Sequence, residues 1–417
     1  MRERTVDVLV IGGGPAGLAA AIAAKEAGCG SVLMVDREDA PGGILKQCIH
    51  NGFGLHTFGE ELTGPEYAER YIEKAAAAGV EIQCGAMAVD LSADRVATVV
   101  SHEYGLETIR AGAVVLAMGC RERPRGALAT PGARCAGIYT AGNAQKLVNM
   151  KGLMPGKRVV ILGSGDIGLI MARRMTFMGA EVLACVELMP YSAGLTRNIV
   201  QCLNDFGIPL YLSHTVVDIK GRERLEGVTI AQVDDRLTPI PCTEQELACD
   251  TLLLSVGLLP ENELSSAAGV PLSPATGGAE VDEGLETAAP GIFSCGNVLH
   301  VHDLVDFVSE EAARAGKNAA LYAAGKMRAR GTIPVEAGFG VGGVVPQYLS
   351  ESPEGDVKLM FRPRGVYKKA RVVVERAGRE IHSRREMILV PGEMVSVTLK
   401  HDALYAGSGP VAVRIEV

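Results

Sequence analysis

The apolar positions of the chain recur in the same order twice. Residues 6–36 read VDVLVIGGGPAGLAAAIAAKEAGCGSVLMVD, and residues 158–187 read RVVILGSGDIGLIMARRMTFMGAEVLACVE. Each stretch opens with an apolar run, passes a glycine-rich turn, continues as an apolar helix to a glycine stop, and ends in a second apolar run. A strand without polar alternation is one buried on both faces. Each stretch therefore predicts a βαβ unit of a parallel sheet covered by helices.

Both turns carry G-x-G-x-x-G: Gly12, Gly14 and Gly17, then Gly163, Gly165 and Gly168. The first glycine permits the tight turn, the second lets backbone approach a pyrophosphate, and the third lets helix pack on strand. The helix N-terminus is then aimed at the phosphates. An acid should end the second strand and hold a ribose 2′-hydroxyl. Asp36 lies 24 positions after Gly12, and Glu187 lies 24 positions after Gly163. One such pattern is weak evidence, but two in register predict two dinucleotide sites. Leu188, Met189 and Pro190 follow Glu187, so no adjacent arginine awaits a 2′-phosphate. That favours NAD over NADP at the second site, with Arg197 the basic residue able to fold back.

After Gly331 the pattern changes to short alternating runs, at residues 357–361, 370–374, 394–399 and 411–417. These predict antiparallel strands, with hairpin turns at 375–378 and at Pro391-Gly392. A small β-sandwich of about 85 residues fits. Residues 357–385 hold ten Lys/Arg against two Glu. That charge is either the solvated face of the strands or a dock for an acidic protein partner. Nucleic acid fits poorly, because no aromatic residues interleave the charge.

Composition narrows the class. The 417 residues are 47% hydrophobic, which excludes disorder and suits two or three domains. The net charge of −8 opposes general nucleic-acid binding. Apolar runs are too short for a transmembrane segment. A buried-strand pattern by Val6 leaves no room for a targeting peptide, so a cytoplasmic protein is expected. The ten cysteines form no CxxC, which removes a zinc knuckle or a thioredoxin-like pair and suits thiols in a reducing compartment.

With these motifs in place, the sequence resembles the two-dinucleotide flavoproteins of the pyridine nucleotide-disulfide oxidoreductase superfamily. Three further stretches carry the likeness. AVVLAMG (113–119) resembles the strand that closes the FAD domain in an A-T-G turn, and VDEGLETAAPGIFSCGN (281–297) resembles the segment ending in G-D beside the FAD ribityl chain. PGARCAGIYTAGNAQKLVN (131–149) resembles the crossover into the NAD domain. Within the superfamily the likeness is to the flavoprotein subunits of opine oxidases, hydrogen cyanide synthase and dye-linked proline dehydrogenases. GGILKQCIHNGFG (42–54) and GNVLHVHDLVDFVSEEAARAGKNAA (296–320) look most like the oxidoreductase encoded beside anaerobic glycerol-3-phosphate dehydrogenase.

The expected fold is α/β, with two Rossmann-like dinucleotide-binding folds plus a small C-terminal β-sandwich. The NAD domain (151–255) is inserted in the FAD domain (1–150 and 256–330), and 331–417 form the β-rich domain. The resemblance implies FAD on Gly12, Gly14, Gly17, Asp36, Arg37, Gly119, Gly296, Asn297 and Asp303, and NAD(H) on Gly163, Gly165, Gly168 and Glu187. Four departures count against a disulfide reductase. Asn297 replaces aspartate, Ile170 replaces a glutamate near the nicotinamide, and only Cys48 occupies the place of the C-x4-C redox pair. The C-terminal H-P proton donor is also missing.

A flavin accepts hydride at N5, and the protein orients and tunes it. By the resemblance two segments flank it. One is a helix starting near Asp303, whose N–H groups would face N1–C2=O and stabilise reduced flavin. The other is 42–54, followed closely by His56, which places Cys48 at the flavin face as a redox-active thiolate or as a buried thiol. His302 is the first candidate for moving a proton there. Neither His50 with His56 nor His300 with His302 sits in a compact Cys/His cluster, so no metal is expected. Arg121, Arg123 and Arg125 lie on a crossing loop, docking phosphates or solvated.

The activity expected is hydride exchange between NAD(H) and FAD, coupled to another redox protein subunit in an oligomeric complex. A glycerol-3-phosphate dehydrogenase is the candidate partner. Two alternatives stay open: oxidation of a proline-, sarcosine- or opine-type amine or amino acid at the flavin, and a non-catalytic subunit holding FAD for assembly.

Overall fold

The computed structural model describes residues 2–326, 329–351, 353, 355–404 and 409–417. The chain divides into two compact units, one running to Cys120 and resuming over Pro260–Val417, the other Arg121–Leu259.

In the first unit a seven-stranded sheet runs in the order Glu81–Gln83, Val32–Val35, Arg2–Ile11, Gly105–Leu116, Val96–Ser101, Ala86–Leu91, and Ile292–Ser294 pairs with Gly105–Leu116. Strands Arg2–Ile11, Val32–Val35 and Gly105–Leu116 are mutually parallel, in the register Val8↔Val32 and Val8↔Ala113. Val8, Leu9, Val10, Leu33 and Val114 are fully buried, as a sheet covered on both faces requires. Helix Pro15–Glu26 follows the first strand with proline at its first positions. Its alanines admit helix Val305–Ala323 closely: a Cβ on Gly316 would overlap the backbone of Ala20.

The second unit repeats the plan with a five-stranded parallel sheet: Ile138–Thr140, Thr251–Leu254, Arg158–Leu162, Glu181–Val186, Leu210–Tyr211. Strands His214–Gly221, Leu225–Gln232 and Gln245–Leu247 add an antiparallel sheet. The unit starts about thirty residues before the expected boundary at 151. Strand Ile138–Thr140 pairs with Thr251–Leu254, and helix Ala141–Lys151 buries Ala144 and Val148 in this unit's core, so the crossover belongs here.

The C-terminal segment is a two-sheet β structure within the first unit. Five strands (Tyr348–Leu349, Ile333–Ala337, Val411–Glu416, Tyr367–Arg376, Arg379–Leu389) face three (Val341–Val345, Val357–Pro363, Val395–Leu399). Leu359, Phe361, Val372, Val374, Val397 and Val413 form their shared core. The turn at 375–378 is a hairpin, with Ala377 and Gly378 both at positive φ, as a two-residue loop demands. The turn at Pro391-Gly392 is not one. The strands on its two sides lie in different sheets, so it carries the chain across the sandwich.

Candidate functional site

The first glycine turn has the shape its sequence requires. Gly12 sits at φ +108, and a Cβ there would overlap the Ala117 carbonyl; one on Gly17 would overlap the Gly12 carbonyl. A Cβ on Gly14 would meet nothing within 4 Å. Two glycines therefore close the turn, and the third leaves open space at the N-terminus of helix Pro15–Glu26, which has no side-chain cap. Uncapped N–H groups beside a cradle that a side chain would fill suit a phosphate. Asp36, 8% exposed, accepts from the Gly13 amide through Oδ2 and from the Glu38 amide through Oδ1 at 2.7 Å. Arg37 is exposed beside it.

Further glycines approach this turn, Gly296 from the expected FAD set and Gly42 and Gly43 from outside it. The Gly42 amide donates to the Gly13 carbonyl at 2.8 Å, and a Cβ on Gly43 would lie 2.9 Å from Gly14 Cα. Gly296, at φ +72, rests against Ala16, its Cβ position 2.8 Å from Ala16 Cβ. Gly119 accepts from the Glu261 amide at 3.1 Å and faces open space. Asn297 braces its own loop, with Oδ1 accepting from the His302 amide at 3.1 Å and Nδ2 lying 3.7 Å from Cys120 Sγ. One amide hydrogen and one lone pair of that side chain remain for a hydroxyl.

The second turn is built alike. A Cβ on Gly163 would overlap the Ser255 carbonyl, and one on Gly168 would fall 2.7 Å from Ser255 Cβ. Gly165 is tighter than Gly14, its Cβ position 3.2 Å from Ser255 Oγ. Glu187, 6% exposed, accepts from the Ser164 amide at 2.9 Å, the Ser164 hydroxyl at 2.6 Å and the Met189 amide at 2.9 Å. Helix Asp166–Phe177 likewise lacks a side-chain cap. Ile170 packs against the core, and Arg197 is exposed on helix Thr196–Cys202. Arg125 is turned back on its own loop, bonding the carbonyls of Thr130 and Gly132.

The two segments expected beside the flavin do meet. Helix Val305–Ala323 begins two residues after Asp303, and Asp306 in its first turn accepts from the amides of Gly54 (3.2 Å) and Thr57 (2.9 Å). The His56 ring stacks on Phe307 at 5.3 Å. Asp303 itself is occupied by protein: its carboxylate pairs with Arg362 and accepts from the Met394 amide at 2.6 Å. It holds the C-terminal sheets to this loop.

Cys48 is a packed thiol. Its Sγ donates to the Ile44 carbonyl at 3.3 Å, and burial pushes it up to about 12, so it carries its proton near neutrality. A thiolate relay at Cys48 is at odds with that environment. None of the ten cysteines is in a disulfide.

His302 lies in a cluster that sequence reasoning missed. Glu311, 2% exposed on helix Val305–Ala323, accepts from His300 Nε2 at 2.7 Å through Oε2. Through Oε1 it meets His302 Nε2 at 3.2 Å and the Gly296 amide at 2.8 Å. The imidazole centroids are 4.3 Å apart. These are separations of direct hydrogen bonds. Burial alone would raise the Glu311 carboxyl, but His300 and His302 outweigh it and hold Glu311 well below the usual carboxylate range. Burial holds His300 below the ordinary imidazole value, against the pull of Glu311. The one available sequence signal was a carboxylate on the apolar stripe formed by Val308, Ala312, Ala315 and Ala319.

Two glycine turns, each closed by a buried acid and each opening on an uncapped helix, define an oxidoreductase of the two-dinucleotide class. The chain belongs to the pyridine nucleotide-disulphide oxidoreductase family, whose profile matches residues 6–321. Its cofactors are FAD and a nicotinamide nucleotide, and the residues around Gly12, Asp36 and Gly296 fit the first of these. An opine oxidase subunit from Agrobacterium tumefaciens is 27% identical over 64% of this chain and 55% of its own length. The hydrogen cyanide synthase subunit HcnB of Pseudomonas protegens is 24% identical over 64% of this chain and 59% of its own. The chain thus spans little more than half the length of the curated relatives it matches. In three dimensions it is similar to the thioredoxin reductase of T. acidophilum, with a TM-score of 0.63 at 23% identity over 77% of this chain and 99% of that one. Among the described residues no helix is long and apolar enough to cross a membrane.

Proposed function

We propose that this chain exchanges a hydride between NAD(H) and FAD and passes electrons to or from a partner redox subunit. The observation that carries this reading is the matched closure of Asp36 on Gly13 and of Glu187 on Ser164, which equips each fold for one dinucleotide. Bound FAD supplies the hydride-accepting ring. The protein's part is to hold the phosphates on Gly12–Gly14 and the ribityl chain near Gly296–Asn297, and to move a proton at His302. Glu187, with Met189 and Pro190 after it, supports NAD over NADP. Support for a partner comes from the two relatives, both named as subunits, and from the basic stretch 357–385. A glycerol-3-phosphate dehydrogenase complex in the cytoplasm is the finer form of the reading. The likeness to the opine oxidase subunit favours a second reading, oxidation of an amine or amino acid.

The test is anaerobic titration with NADH and then NADPH, following flavin absorbance near about 450 nm. Stoichiometric bleaching by NADH and slower bleaching by NADPH is the expected result. If neither bleaches while proline, sarcosine or an opine does, the second reading replaces the first.

A further inference from the structure

We propose that the buried His300–Glu311–His302 cluster is a proton store, taking up one proton from solvent when FAD held at the first glycine turn is reduced. The inference deepens the reading above. It rests on FAD in the first fold and is independent of NAD(H) in the second.

The cluster is built for a change of proton count. A lone carboxylate is expensive to bury, so Glu311 needs its partners. Both partners that face it through side chains are imidazoles, bonded through Nε2. Adding a proton to either ring cancels the carboxylate charge and creates no isolated buried cation. Burial keeps His300 low, which leaves it neutral near pH 7 and able to accept.

Position links the cluster to the cofactor. Glu311 accepts from the amide of Gly296, which rests on Ala16 in the first turn of the dinucleotide helix. His302 donates its amide to Asn297. The turn expected to touch FAD is thus hung on the carboxylate of the cluster, Glu311, and on one of its imidazole residues, His302.

The surrounding carboxylates already have partners. Asp303 is paired with Arg362, which also bears on His300, and Asp306 holds the amides of Gly54 and Thr57. Glu310 is paired with Lys358, and His56 stacks on Phe307. Arg314 follows Glu311 one turn along the helix. Cys295, fully buried, has its thiol pushed well above the ordinary value by burial and by Glu311, so it stays protonated. The two imidazoles bonded to Glu311 are the acceptors this leaves at the cluster.

In balance, FAD takes two electrons and one proton, forming the N5–H bond and leaving one negative charge. A second proton moves from solvent hydronium to an imidazole nitrogen of His300 or His302 and offsets that charge. The electrons come from a chemical reductant in the test and from NADH in the proposed reaction.

The test is the flavin reduction equilibrium of the holoprotein against a reference dye, between about pH 6.5 and 8. Each proton coupled to a two-electron reduction makes the equilibrium constant fall about tenfold per pH unit. The expected fall is about a hundredfold per unit in the wild type and about tenfold in Glu311→Gln and in His300→Gln with His302→Gln. A wild-type fall of only tenfold overturns the proposal without any variant. Equal slopes in the wild type and in variants that keep their flavin overturn it too. NADH is not used, so failure of NADH to bleach the flavin would sink the hydride-exchange reading and leave this test standing.

Discussion

Arg362 is paired with Asp303, across a gap of 59 residues in sequence. The same guanidinium donates to the Val301 carbonyl at 3.1 Å and to the Gly392 carbonyl at 2.8 Å. One side chain on strand Val357–Pro363 therefore fixes both sides of His302 from the C-terminal sheets. The β segment is part of the scaffold of the first site, which explains why it joins that unit despite its separate core.

The Arg362–Asp303 pair is partly buried, so breaking it leaves groups short of partners. Arg362→Met is expected to lower stability by about 2–3 kcal/mol. Urea unfolding checks this. A loss under about 0.5 kcal/mol would show the pair to be an ordinary surface contact.

The glycines of the first turn separate folding from binding. Gly17→Ala puts a Cβ into the Gly12 carbonyl and should prevent stable folding. Gly14→Ala places its methyl in open space, at a backbone φ of −76 that alanine adopts freely. It should change stability by less than about 1 kcal/mol while weakening FAD retention at least about tenfold. Flavin content after dialysis, measured beside the unfolding midpoint, tests the pair. A Gly14→Ala protein that keeps its flavin would show that no phosphate approaches there.

Residue type was informative where backbone geometry dictates it. Gly12, Gly17, Gly163 and Gly168 sit where a Cβ would strike backbone or a neighbouring residue, and the buried acids Asp36 and Glu187 end their strands where the spacing put them. The alternating runs after Gly331 all became strands because one face of each meets the core. Contacts between distant residues left no such trace. Glu311 reads as a helix carboxylate until folding brings two imidazoles from the preceding loop onto it. Arg362 reads as one of ten basic residues. Strand Ile138–Thr140 is three residues long, and its partner Thr251–Leu254 lies more than a hundred positions on, so the start of the inserted unit was set too late. Pro391-Gly392 has the chemistry of a hairpin, and only the sheet assignment shows it to be a crossover.

Cys48 should behave as an inert thiol. With its thiol pushed up to about 12, against an ordinary cysteine near about 8.5, its thiolate fraction at pH 8 is reduced by roughly three orders of magnitude. Alkylation at pH 8 should therefore modify exposed Cys242 long before Cys48. Cys48→Ala should leave flavin reduction within about twofold of wild type. Peptide mapping after a short iodoacetamide pulse decides the first point. Early labelling of Cys48 would restore its case as a redox thiol.

Stability should depend on pH through His300. Burial lowers its folded value below that of the unfolded imidazole, near about 6.5, so the unfolded chain binds more protons over that interval. The contribution is complete above about pH 6.5 and is lost as pH falls, at no more than about 1.4 kcal/mol per pH unit for one group. Glu311 acts lower on the scale. Its depressed value means stability present above the unfolded carboxyl, near about 4.3, and lost as pH falls further toward the folded one. Urea midpoints between pH 8 and 5 should therefore decline more steeply in the wild type than in His300→Gln, which keeps a bond to Glu311 but cannot titrate. Parallel curves for the two proteins would mean that His300 is protonated equally in the folded and unfolded states.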